Sequence, residues 1–270
     1  MTFNKTRLII LLALAILFTG CSRNSIIGRK QLTLMPESSL QKMSLTQYQS
    51  FLKNNKVLSP ETNRDAAMVK RVGESIASSI TQYFTSKGKG AELADYQWEF
   101  KLVESNEINA WCMPGGKVVV YTGLLKVTQN EIALAIVMGH EITHAVAKHG
   151  NERMSQAMVS QGIQIAGNVL TQNNQQVNSI FTKIYAPTAA IGVLLPNSRS
   201  QESEADRYGL IFSAMAGYDP REAVALWQRM DALGNAKVPE FLATHPSNSK
   251  RIEQCRQYAE EAMGYYEKSK

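Results

Sequence analysis

"VMGHEITHAVAKHG", residues 137–150, holds three of the four histidines of a 270-residue chain, with a glutamate directly after the first of them. Around it, Ile132, Ala133, Ile136, Val137, Ile142, Ala145 and Val146 recur at helical spacing. Asn130 suits an N-cap, Glu131 the positive end of the helix dipole and Gly150 the termination, so the pattern predicts a helix from Asn130 to His149. On that helix His140 and His144 differ by about 40° in direction and about 6 Å in height, which lets both imidazoles meet one metal ion. Glu141 lies about 100° round from His140, within reach of a water at the metal without being a ligand. His149 would point away from both, which suits a structural or supporting role.

A catalytic metal needs at least one more protein ligand. The metzincin pattern would place a histidine ten positions after His140 and a glycine seven after it; this chain has Gly150 and Ala147 there, which excludes that class. Carboxylates are the better source, in "QESEADRYGL" at 201–210. Glu202 and Asp206 are one turn apart and share a helix face, whereas Glu204 lies about 200° from Glu202. Small Ala205 would let this helix approach the first closely. Glu202 is therefore the expected third ligand. Asp206 is its partner, either orienting a ligating histidine or stabilising the reacting centre. The competing reading is a solvated acidic patch facing Arg207 or Arg199.

With "HEITH" and "ESEAD" in this order, the chain resembles the membrane-associated zinc metallopeptidases of family 48, which have HtpX-, Oma-, BepA- and LoiP-like branches. The resemblance extends to "NAWCMPGGKVVVYTGLL", 109–125, and "THPSNSKRI", 244–252, and spans roughly residues 60–265. It implies one Zn2+ per chain held by His140, His144 and Glu202, with Glu141 as general base and Asp206 as a second catalytic carboxylate. The implied fold is α+β and mainly helical, a zincin-type domain of the gluzincin class with a small β-sheet beside the H-E-x-x-H helix. In such enzymes the strand at 117–122 lies beside the active site. Its edge either pairs with an extended peptide or the strand is simply part of the core. His245 matches a histidine that in the BepA-like branch reaches the zinc and restrains activity; alternatively, it caps the helix that follows. The chain stops 25 residues after His245, so the expected form is the compact one without a tetratricopeptide array. The implied substrates are unfolded or misfolded periplasmic or outer-membrane proteins. The rival from another class is a chaperone-like or binding lipoprotein whose zinc site is plugged by His245 or by the segment 181–198. Outer-membrane assembly or protease partners would be compatible with either.

The N-terminus points to the same compartment. "MTFNKTRLIILLALAILFTG" has a basic stretch and then an apolar run from Leu8 to Phe18, too short to span a bilayer comfortably and suited to a secretory signal. Small Thr19 and Gly20 precede Cys21 as in bacterial lipoprotein signals, although Phe18 is larger than usual there. The expected organisation is a signal peptide at 1–20, a lipid on Cys21, a tether at 21–37 and a metallopeptidase domain at 38–270; the alternative is an uncleaved anchor. Ser22, in place of a retaining Asp, favours the outer membrane facing the periplasm. Loss of Lys5 and Arg7 with the signal leaves 27 basic against 23 acidic residues and no basic block, which argues against a nucleic-acid partner. Cys112 and Cys255 either pair or remain separate buried thiols.

Further helices are expected near 38–53, 62–85, 152–180, 199–216, 220–233 and 248–265, with strands at 96–105 and 117–123 forming a small antiparallel sheet.

Overall fold

The computed structural model describes residues 21–161, 174–185, 198–233, 239–245 and 249–270. The expected signal peptide at 1–20 and most of the segment 181–198 lie outside these residues. The first two helices match the apolar periodicity closely: α1 spans Glu37–Asn54 and α2 Arg64–Ser86. Asn63 caps α2 by accepting from Ala66 N, satisfying one of the donors a helix start leaves unpaired.

The sheet corrects the expected antiparallel pair. Strands β3 (Val57–Leu58), β4 (Glu99–Val103), β5 (Ala110–Met113) and β6 (Lys117–Tyr121) lie in the order β3-β4-β6-β5. The two strands recognisable from alternation, β4 and β6, pair in parallel, and it is the short β5 that runs antiparallel to β6. The cause is the turn after Met113, where Gly115 and Gly116 take φ of +87° and +85°, backbone positions that favour glycine. That turn closes a β5–β6 hairpin, so β4 can join only on the far side of β6. Val118 and Val120 of β6 face the main core, while Val119 and Tyr121 pack with Tyr48 and Phe51 of α1. With both faces covered and both edges paired, β6 is a core strand, and among the described residues the unpaired edge on this side of the sheet belongs to β5.

After α3 (Thr122–Thr128), the decisive helix α4 covers Glu131–Val146, and the Asn130 side chain caps it by accepting from Ala133 N. Every residue from Ala133 to Val146 is buried. A helix apolar on nearly all sides sits inside the domain, so its few polar residues are carried in with it. Leu134, Ile136, Val137, Met138, Ile142 and Val146 contribute roughly 1.5–3 kcal/mol each on burial, on the order of 10 kcal/mol in total, which offsets the desolvation of the polar three. Termination differs from expectation. The helix stops before Gly150, Lys148 adopts the left-handed region (φ 58°), and a new helix α5 begins at His149 and runs to Ser160.

Helices α6 (Gln175–Tyr185), α7 (Arg199–Met215), α8 (Glu222–Leu233), α9 (Glu240–Thr244) and α10 (Ser249–Ser269) complete the described chain. Helix α7 starts with a reciprocal capping box between Ser198 and Gln201. It lies directly against α4. A Cβ on Gly139 would sit 2.5 Å from Ser213 Oγ, and one on Gly209 would sit 2.8 Å from the backbone nitrogen of His140. Ala205 is indeed buried in this contact region, but the two glycines set the closest approach.

Residues 21–35, most of the segment 21–37 expected as a tether, are built into the domain. Strands β1 (Cys21–Arg23) and β2 (Lys30–Leu32) form an antiparallel hairpin. Its buried Asn24 and Gln31 both donate to the carbonyl of Ala147, at 2.9 and 3.0 Å, satisfying an acceptor at the end of α4. Polar anchors of this kind leave no apolar periodicity, which is why the segment reads as unpatterned. Cys112 and Cys255 are both free thiols, so the pairing left open above does not form.

Candidate metal centre

Helices α4 and α7 and the residue that ends α9 bring four side chains together. Ligand atoms of His140, His144, Glu202 and His245 all lie within 4.8 Å of one another, and all four residues are buried. His140 Nε2 is 3.0 Å from His144 Nε2 and 3.1 Å from His245 Nδ1. Glu202 lies 3.5 Å from His140 Nε2, 3.3 Å from His144 Nε2 and 2.9 Å from His245 Nδ1. Donors about 2.05 Å from one ion in a tetrahedron would be about 3.3 Å apart, and these contacts, with Glu202 using Oε2 toward His140 and Oε1 toward His144 and His245, are close enough for one ion to be shared. The donor set of imidazoles and one carboxylate suits zinc or a neighbouring transition metal.

Electrostatics favour the ligating forms of His144 and Glu202. Burial lowers the pKa of His144 well below the usual histidine value, which keeps its ring neutral. Burial would raise Glu202, but His245 and His140 hold its carboxyl well below the ordinary range. His245 also loses by burial, yet facing Glu202 and Glu141 its pKa is raised. Glu141 stands at the edge of the cluster, its Oε1 3.4 Å from His245 Nε2 and without a hydrogen-bond partner among the described residues. Burial raises its pKa, opposed by His245 and His140. A buried carboxylate with an unsatisfied oxygen, poised beside a candidate metal site, is what a proton-transferring group requires.

The surroundings of the ligands assign places to the other expected residues. Asp206 Oδ1 is 2.9 Å from His140 Nδ1, the ring nitrogen that is not turned to the cluster, and Arg251 holds Asp206 through two 2.8 Å hydrogen bonds. Asp206 thus contacts a ligand and not the open side of the cluster, which fits the orienting role better than a second catalytic carboxylate. Its carboxyl would be raised by burial but is lowered by Arg251 and His140. Arg251 also reaches Glu202 Oε2 at 3.0 Å and stacks 3.6 Å above the Trp227 ring. It is a functional residue missed in the sequence reading, although it stands in the quoted "THPSNSKRI" as a cation six positions after His245. Arg207 pairs instead with Glu261, and Glu202 and Asp206 are buried, so the face they share on α7 is no solvated patch. His149 is no ligand: its Nδ1 is 2.8 Å from His144 Nδ1 and its Nε2 2.9 Å from Glu204 Oε2. His245, the C-cap residue of α9, sends its ring into the cluster, stacked on Phe241 at 4.7 Å between centroids.

A buried helix bearing H-E-x-x-H, packed against a second helix that adds a glutamate, defines a zincin-type metallopeptidase domain. Sequence comparison gives the particular family. The model of Peptidase family M48 matches residues 64–259, and the chain belongs to that family. It is similar to the mitochondrial metalloendopeptidase OMA1 of Arabidopsis thaliana, with 36% identity over 65% of this chain and 35% of the relative. Human OMA1 is 27% identical over 90% of this chain and 47% of its own length. The beta-barrel assembly-enhancing protease of Escherichia coli K12 is 28% identical over 67% of this chain and 39% of its own. The matches therefore cover about a third to a half of these curated relatives.

Proposed function

We propose that this protein is a zinc-dependent endopeptidase of the bacterial cell envelope that cleaves misfolded periplasmic or outer-membrane proteins. The observation that carries the reading is the buried convergence of His140, His144, Glu202 and His245, whose ligand atoms lie within 4.8 Å of one another, with the unsatisfied Oε1 of Glu141 beside it. A structural metal site has no use for that carboxylate. His140, His144 and Glu202 would hold one zinc ion per chain. When bound, zinc supplies Lewis-acid polarisation of water and of a scissile carbonyl. Glu141 supplies the proton transfers: its carboxylate accepts a proton from the attacking water as the new C–O bond forms. It then gives a proton to the amine nitrogen as the C–N bond breaks. An extended substrate would pair its backbone with the free edge of β5, which packs beside α4.

His245 supports a second reading, a latent protease or chaperone-like lipoprotein, because its Nδ1 occupies the fourth corner that water needs. Zinc-loaded wild type and His245→Ala, assayed on an unfolded protein, separate the readings. Cleavage by the variant with little by the wild type supports a gated protease, and equal cleavage by both removes the gate. Absence of cleavage by either sinks the peptidase reading in favour of the chaperone-like one.

Placement in the envelope rests on the N-terminal signal pattern ending in Cys21 and on similarity to a bacterial beta-barrel assembly-enhancing protease. Among the described residues no helix is long and apolar enough to cross a membrane; the attachment proposed is lipid on Cys21. Cys21→Ala is expected to move the protein from the membrane to the soluble fraction and to abolish labelling by radioactive fatty acid. Labelling that survives the substitution would refute the anchor.

A further inference from the structure

We infer that the N-terminal hairpin is a working part of the metal centre, in which Arg29, Glu204 and His149 form a strut that fixes the orientation of His144. The inference rests on the metal-site reading above. His144 turns Nε2 toward the other ligand atoms, so as a neutral ligand it carries its hydrogen on Nδ1. That nitrogen is 2.8 Å from His149 Nδ1, which must then accept, leaving the hydrogen of His149 on Nε2. His149 Nε2 in turn lies 2.9 Å from Glu204 Oε2, a carboxylate that can only accept. Glu204 is gripped by Arg29, through Nε at 2.6 Å and a second guanidinium nitrogen at 3.1 Å. Each donor meets an acceptor along the whole line, and only one assignment of hydrogens satisfies it.

The line is anchored as well as directed. Arg29 also forms a two-pronged pair with Glu152, whose Oε2 accepts from Gln201 at 2.8 Å. Asn24 and Gln31 tie the same hairpin to the end of α4 through the Ala147 carbonyl. The left-handed Lys148 makes the geometry possible, because it turns the chain so that His149 faces back onto His144. His140 has its own support in Asp206 and Arg251, so each ligating histidine of α4 is held through a carboxylate by an arginine from a distant part of the chain. Partners of this sort commonly affect metal affinity about 10- to 100-fold. Arg29, Glu204 and His149 are positioning residues, since none touches the open side of the cluster.

Zinc affinity measured by chelator competition tests the strut, with the visible spectrum of the cobalt-substituted protein as a second readout. The variants are His149→Phe, His149→Gln and Arg29→Ala. Wild type should bind one metal ion; failure of that measurement would overturn the metal-site reading itself. Given wild-type binding, His149→Phe and Arg29→Ala should weaken zinc by about 10- to 100-fold and alter the cobalt spectrum. His149→Gln should recover most of the affinity, since its amide can accept from His144 and donate to Glu204. Wild-type affinity and an unchanged cobalt spectrum in His149→Phe or Arg29→Ala would overturn the strut. Should His149→Phe fail to fold, Arg29→Ala decides alone, because Arg29 is partly exposed and its thermal unfolding can be followed in the metal-free protein.

Discussion

Glu141→Gln should reduce peptide-bond hydrolysis by about 10²- to 10⁴-fold while leaving one zinc ion bound. The amide keeps the shape of the side chain but cannot take a proton from water at neutral pH. Zinc should stay because Glu141 is absent from the four-donor cluster. Stability should move the other way. In the folded, metal-free protein, burial raises the Glu141 pKa above its unfolded value, so ionising it opposes folding. That cost is absent below the unfolded pKa and grows as pH rises through it, because the folded state then binds more protons than the unfolded state. The metal-free variant should therefore be at least as heat-stable as the parent at pH 7. Near-normal hydrolysis would exclude Glu141 as the base, and loss of zinc would make it a ligand instead.

Gly209→Ala should cost zinc binding out of proportion to its size. The added methyl group would lie 2.8 Å from His140 N and 2.9 Å from Gly139 C, contacts that backbone atoms cannot relieve by rotating. Helix α7 must then retreat from α4, at about 1–3 kcal/mol, typical of overpacking. Glu202 and Asp206 ride on α7, so the same retreat pulls the carboxylate ligand and the His140 partner away from the histidines. Calorimetry should show a folded protein with a lowered midpoint, and metal analysis should show much-reduced zinc. A variant that keeps stoichiometric zinc at wild-type affinity would show that the helix contact does not set the ligand geometry.

The parts of this site that could be read from the sequence are those that obey helical arithmetic. His140, His144, Glu202 and Asp206 sit at one-turn spacings on helices whose apolar pattern is continuous, and they meet as expected. The resemblance to family 48 also drew attention to His245, which nothing in its local pattern would have singled out. What escaped depends on contacts across the chain. Strand β5 is four residues long and too short for alternation to register, and without it β4 and β6 could only be guessed as antiparallel. His149 was placed by extending α4 three residues too far; the left-handed Lys148 carries no glycine or asparagine to mark it. Gly139 and Gly209 look like ordinary helix-weakening residues until the two helices are seen in contact. Arg29 and Arg251 carry charge whose partners lie 175 and 45 residues away.

Those separations govern the order in which the centre can be built. Helix α4 and the hairpin β5–β6 can form from local contacts, but the His144 support requires residue 29 to find residue 204, and the His140 support requires residue 251. Closing loops of that length is entropically costly and slow relative to local structure. The ligand geometry is consequently expected to form late in folding, and a chain caught midway would carry a complete H-E-x-x-H helix without yet being able to use it.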